Sequence, residues 1–318
     1  MSAKPPARSL KFERRFPLGN LDEPSAIERY LDCFQGQSFE GRHPIGIYSR
    51  ALQNIVGVFN RLLDALPTAE TLSSKAAVPN TEDRDPSATQ SVEKLVADLF
   101  LATEAFLVDL TFIVSAFAKL HGDPAFTQLT KNYASRMKTA REFIALPANK
   151  IKHEQSNVVL IRVNSILGFY VDGVDKDGAL GPHLQVHPEG DPAFSFNRAI
   201  RQVLASLIYA SDVVVETLSA EFPAAIPAEV GLGPLAPLAL RVAGLSTEVF
   251  FDEAQRATTF VTTESALKIA APNHGEFVVT KSPAYVQHGF IAYKGLRKIR
   301  LPYEAMKGPP PKTPDIPK

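Results

Sequence analysis

Asn149, Lys150, Lys152 and His153 fall within five positions of one another, and as a set they are suited to handling a phosphate. Histidine titrates near neutrality and can take a proton from an attacking hydroxyl. Lysine supplies a point charge, whereas arginine grips phosphate through two parallel bonds. Metal-free cleavage of RNA needs such an inventory: a base for the 2′-hydroxyl proton and cationic donors for the charge that develops on the phosphoryl oxygens. In that chemistry His153 is the base, Asn149 positions the reacting groups, Lys152 contacts phosphate, and Lys150 and Arg141 are further binding groups. The plainer reading makes His153 an ordinary helix-end residue, favoured there by the macrodipole.

The charge around these residues is one-sided. Lys131, Arg136, Lys138, Arg141, Lys150 and Lys152 face Glu142 alone between positions 131 and 152. Such a run draws RNA or another anion when it forms one patch, and is a solvated helix face when it does not. Lys131 and Lys138 join the binding candidates on this ground. A second basic run, Lys294, Arg297, Lys298, Arg300 and Lys307, is interleaved with Phe290, Tyr293 and Tyr303. Aromatics on a strand can stack bases or form the core face of an edge strand.

The segment Ala148-Asn-Lys-Ile-Lys-His153 resembles the signature of HEPN domains: an arginine, a polar residue that is often asparagine, three variable residues and a histidine. Asn149 and His153 match, and Ala148 stands where the family has arginine. The resemblance covers the motif and the helical layout of roughly residues 45–220. It implies a helical bundle, often dimeric, that binds or cleaves RNA without metal or cofactor, in a prokaryotic defence or toxin–antitoxin setting. The competing expectation is a non-enzymatic interaction protein with an inert motif. Expected partners are therefore RNA, a protein or a second copy of the chain, with no membrane.

Several other patterns carry less. His183 and His187 on one strand would lie about 13 Å apart, too far to share an ion. Asp175 and Asp177 mimic a calcium loop, but Gly173 and Leu184 stand where acidic ligands belong. Ser135-Arg-Met-Lys138 has no Lys-Thr-Gly partner. Gly231-Leu-Gly233 lacks a preceding strand and is followed by Pro234, so a dinucleotide loop is not expected.

The elements that must position the motif are read from apolar spacing. Chain length, 318 residues, allows about two domains. Lys and Arg balance Asp and Glu at 34 each, so no whole-molecule field steers the protein to nucleic acid or membrane. Cys33 is the single cysteine, which excludes an internal disulfide and fits a reducing, cytoplasmic setting. Met1 to Phe16 is polar and basic, unlike a secretory signal. The expected fold class is α+β: a mainly α-helical bundle with an inserted β-hairpin, then a small β-rich C-terminal module. Residues 1–23 form an extended arm and 24–221 the bundle, with a short helix after Pro24 and long ones at 45–66, 90–120, 124–146 and 194–218. The stretch from Leu99 to Leu120 is long enough for a membrane span, but Glu104, Asp109 and Lys119 interrupt it, so a core helix is expected. Pro147 ends or kinks the helix before the motif, and the hairpin lies at about 158–187. A mobile loop is expected at 67–89, a Pro-rich linker at 222–238, β-rich sequence at 239–306 and a disordered tail at 307–318.

Overall fold

Leu52, Ile55, Phe59, Leu62 and Leu66 recur at threes and fours, and all are buried. They form the inward stripe of a helix that the computed structural model places at Pro44–Lys75. The structure describes residues 12–17, 20–36, 41–75, 86–120, 123–163, 166–174, 178, 180–187, 193–225, 230–246, 248–250, 260–265, 275–281, 290–294 and 297–301. In chain order the helices are α1 (Ala26–Asp32), α2 (Pro44–Lys75), α3 (Pro86–Lys119), α4 (Asp123–His153), α5 (Phe196–Ser219) and α6 (Ala236–Ala243). The strands are β1 (Phe12–Pro17), β2 (Val158–Val163), β3 (Ile166–Val174), β4 (Leu180–Pro182), β5 (Phe194–Ser195), β6 (Phe260–Ser265), β7 (Gly275–Lys281), β8 (Phe290–Lys294) and β9 (Arg297–Leu301). The fold is α+β and mainly helical, as the periodicities predict.

The bundle is built around α3 and α5. α3 packs between α2 and α4, burying Val96, Phe100, Leu107, Leu110, Val114 and Phe117. It is long and apolar enough to cross a membrane, and half of its most apolar window is buried inside the protein. α5 is buried on nearly every side, from Phe196 to Leu218. The β2–β3–β4 meander docks through aromatic rings. Phe169 of β3 lies 6.0 Å from Phe100 of α3 and 5.2 Å from Phe196 of α5, and Phe194 lies 5.3 Å from Phe143 of α4. Centroids at these separations and tilts match favourable edge-to-face packing, so the sheet is part of the core.

Two prolines that read as breaks lie inside helices. α2 continues through Pro67 to Lys75, so the first part of the expected loop at 67–89 is helical. The last part, from Pro86, already belongs to α3, and residues 76–85 lie outside the described residues. α4 likewise runs through Pro147 to His153. An interior proline costs about 3 kcal/mol through its missing N–H and its ring. Burial of Ile144 and Ala148 on either side of Pro147 offsets that cost and holds the last turns in helical phase.

The stretch at 222–238 also differs from a linker. Its end forms a 3-10 turn and then α6, whose Leu238, Ala239 and Val242 are buried. Pro237 sits at the start of α6, where a proline's absent N–H costs nothing. The Gly231-Leu-Gly233 segment clamps α6 to the loop before α1. Gly231 N–H bonds the Pro24 carbonyl at 3.2 Å, Leu232 N–H bonds Leu21 at 2.9 Å, and Gly233 N–H bonds Glu23 at 2.9 Å. A Cβ at Gly231 would overlap the carbonyl oxygens of Asn20 and Glu23.

C-terminal sequence is β-rich, but its strands also pair outside that region. β7 lies between β1 and β6, so Phe12–Pro17 of the expected arm is a strand. β9 pairs with β8 and touches β4 in parallel at Leu180 and Ile299. The basic run from Lys294 to Arg300 therefore spans the β8–β9 hairpin, while Tyr303, Lys307 and the 307–318 tail lie outside the described residues.

One half-buried acid staples sheet to bundle. Glu93 of α3 accepts the Leu160 N–H of edge strand β2 at 3.0 Å. Burial pushes the Glu93 carboxyl above its usual range, and the Leu160 bond opposes that shift. A raised folded-state pKa favours the protonated acid in the fold. That contribution is fully present below the ordinary glutamate value of about 4.3 and is lost as pH rises through the folded value.

Three outcomes are expected. Glu93→Gln keeps the acceptor without the half-buried charge. Urea unfolding at neutral pH should find it as stable as the parent or up to about 1 kcal/mol more so, with a flatter stability profile across the carboxylate range. Glu93→Ala should lose about 1 kcal/mol. Gly231→Ala should lose about 2–3 kcal/mol, because backbone on both sides must shift; a melting temperature unchanged from the parent would contradict the clamp.

Candidate functional site

The motif occupies the last turn and a half of α4. Inward positions of this helix are Leu129, Tyr133, Met137, Ala140, Ile144 and Ala148, all buried. That phase sends Asn149, Lys152 and His153 outward, and all three are exposed. Asn149 and His153, four residues apart, share one face. Ala148 is 2% exposed and belongs to the main core. The position that carries arginine in the HEPN signature therefore points into the bundle, away from His153.

Beyond His153 the chain turns at once. Gln155 adopts a left-handed conformation, φ 54°, and Ser156 N–H folds back on the Lys150 carbonyl at 3.3 Å. Asn157 then meets Asp172 of β3 through its backbone N–H and its side chain, which fixes the entry to β2.

The cations of α4 separate into two sets. Arg136 is ion-paired with Glu216 of α5, and Arg141 with Glu104 of α3 at 3.1 Å. Lys150 is ion-paired with Glu154. Glu154 also meets His183 at 3.1 Å. The Lys150 bond, then the His183 bond, holds the Glu154 carboxyl below its usual range. Sequence reasoning missed Glu154, although the i, i+4 spacing from Lys150 is the signal that finds such a pair. Lys131, Lys138 and Lys152 are exposed, and no described acidic group is ion-paired with them. Arg141 and Lys150 thus do not converge on His153.

The two downstream histidines have structural partners. They do not lie on one strand. His183 follows β4, and a turn brings the His187 N–H to the His183 carbonyl at 2.7 Å. His187 is 3% exposed and its Nε2 accepts the Val171 N–H at 2.9 Å. The ring nitrogen thus serves as the acceptor for a strand N–H of β3. Asp175 and Asp177 lie outside the described residues.

Chemically, the arrangement offers an exposed imidazole, an exposed carboxamide and a line of lysines. It does not assemble a base and a cationic clamp around one reacting atom. No family model, curated protein or solved structure matches the chain.

The phase of α4 makes a sharp prediction. Ala148→Arg buries a guanidinium in an apolar core and should cost at least about 3 kcal/mol. Asn149→Ala and His153→Ala alter exposed positions and should each stay within about 0.5 kcal/mol of the parent. Chemical denaturation of the three variants checks this; a stable, fully folded Ala148→Arg protein would mean that position 148 faces solvent.

Proposed function

We propose that this protein binds RNA through the outer face of α4 and does not cleave it. The observation that carries this reading is the stripe Lys131, Lys138 and Lys152. These lysines lie seven and fourteen residues apart, within about 60° of one another around the helix, and span about 31 Å of its axis. Asn149 and His153 sit at its C-terminal end. The stripe offers point charges at intervals that can follow a phosphate backbone, and Asn149 and His153 add hydrogen-bonding groups for bases or sugar hydroxyls. The resemblance to HEPN domains supports RNA as the ligand. The inward Ala148 and the paired Arg141 and Lys150 argue against catalysis, because among the described residues the cation left beside His153 is Lys152, a point charge without the arginine fork.

Fluorescence anisotropy with labelled single-stranded RNA tests the proposal. Replacing Lys131, Lys138 and Lys152 together by alanine should weaken binding and reduce the log–log salt slope by about 2, from three lost phosphate contacts at roughly 0.7 each. The RNA should remain intact on prolonged incubation with the parent and with His153→Ala alike. Cleavage lost on His153→Ala would reinstate the ribonuclease reading. No RNA binding at low salt would leave the non-enzymatic interaction protein as the better account.

A further inference from the structure

A second polar cluster lies between α2 and α3, away from the α4 lysines. Arg42 and Arg50, both exposed, line an open groove of about 650 Å³ with Asn54 and Asp109, over a floor that includes Ile47. The volume falls within the range of small-molecule sites, about 300–1,000 Å³. Asp109 is half-buried on α3. Burial pushes its carboxyl above the usual range, while Arg42 and Arg50 pull it back. Both guanidinium groups and this carboxylate line the same groove, and no described hydrogen bond consumes the arginine donors. Neighbouring His43 is engaged with local backbone. Its Nδ1 accepts the Ile45 N–H at 3.3 Å and its Nε2 meets the Phe34 carbonyl at 3.0 Å.

The cluster therefore carries one net positive charge: two arginines against one carboxylate. Its donors match a doubly charged oxyanion, because guanidinium groups bind phosphate oxygens through paired N–H bonds. The carboxylate and the Asn54 amide match hydroxyl groups next to that anion. From this juxtaposition of Arg42, Arg50, Asp109 and Asn54 we infer that the groove binds a small phosphate monoester bearing neighbouring hydroxyls. Arg42 and Arg50 hold the phosphate, and Asp109 accepts a hydroxyl proton in a hydrogen bond. The site uses no residue of α4 and does not depend on the RNA reading.

Isothermal titration calorimetry on the full chain tests the assignment, with inorganic phosphate, glycerol 3-phosphate and adenosine monophosphate as probes. Both esters should bind about 10-fold or more tightly than inorganic phosphate, and their ratio distinguishes a polyol phosphate from a nucleotide. Arg42→Gln and Arg50→Gln should each weaken the esters about 10-fold or more. Arg50→Lys, which keeps the charge without the fork, should lose several-fold. Asp109→Asn should act with opposite signs, tightening inorganic phosphate by removing a negative charge and erasing the esters' advantage. Replacement of Lys131, Lys138 and Lys152 should leave ester binding unchanged. Absence of heat with all three probes at millimolar concentration would overturn the proposal. So would ester binding that is indifferent to Arg50→Gln in a protein whose circular dichroism matches the parent.

Discussion

A buried guanidinium at the start of α5 fastens the segment just after α6 to the bundle. Arg201 is 3% exposed. Its Nη1 donates to the carbonyls of Asn197 and Ser246, at 2.9 and 3.0 Å, and its Nη2 donates to Leu245 at 2.7 Å. Taking a cation out of water costs several kcal/mol unless its donors are met, and burial holds the Arg201 pKa below the usual arginine value. Carbonyl groups just beyond α6 meet that demand, so α6 cannot leave without stranding a charge. The same turn of α5 carries Ser195 as its N-cap, accepting the Arg198 N–H at 3.3 Å. Ser195 and Phe194 also pair with β3. Sheet, α5 and α6 are therefore locked within one helical turn.

That lock determines how α4 can sit. α4 packs against α3 on one side and α5 on the other, and Tyr209 of α5 donates to the Arg136 carbonyl at 3.1 Å. Arg136–Glu216 and Arg141–Glu104 tie the flanks of α4 to these two neighbours. A helix held on both flanks has little freedom to rotate, so its outward face is set by residues far from the motif. Ala148 is inward because Ile144 and Ala140 are inward, and Pro147 does not reset the phase.

Much of this layout was legible in the sequence, and the misses share a cause. The stripes of α2, α3, α4 and α5 gave the bundle, and β-branched runs at Val158–Val163 and Ile166–Val171 gave the meander. Proline hides two helical segments, at Pro67 and Pro237, while the expectation of an end or a kink at Pro147 leaves the turns after it open. Pro67 and Pro147 lie within helices whose packing outweighs the lost hydrogen bond, and Pro237 starts a helix. Pairings between β1 and β7, or β4 and β9, join residues over a hundred positions apart, and no local pattern carries them. The motif was legible as residue types only. Its exposure depended on helical phase, and its charge on partners such as Glu104, which lies 37 positions before Arg141. Glu154 was within reach of a spacing rule; the Arg42, Arg50 and Asp109 cluster was not, since it joins two helices.

The contrast between paired and unpaired cations decides what α4 can do. A lysine or arginine already bonded to a carboxylate brings little net field and must break that bond to meet a phosphate. Arg136, Arg141 and Lys150 are so committed, and they are the cations that lie closest to neighbouring elements. Lys131, Lys138 and Lys152 are exposed, so their field reaches solvent within the Debye length of about 8 Å at physiological salt. Binding by such a line depends on charge more than on base contacts and tolerates many sequences. A catalytic site demands the reverse: donors held rigidly around one atom, within about half an ångström of the reacting geometry. The cations of α4 that are held rigidly are held by the protein's own carboxylates, and those that are free are spread along about 31 Å of helix. The proposed RNA contact along the outer face of α4 rests on this difference between paired and exposed cations.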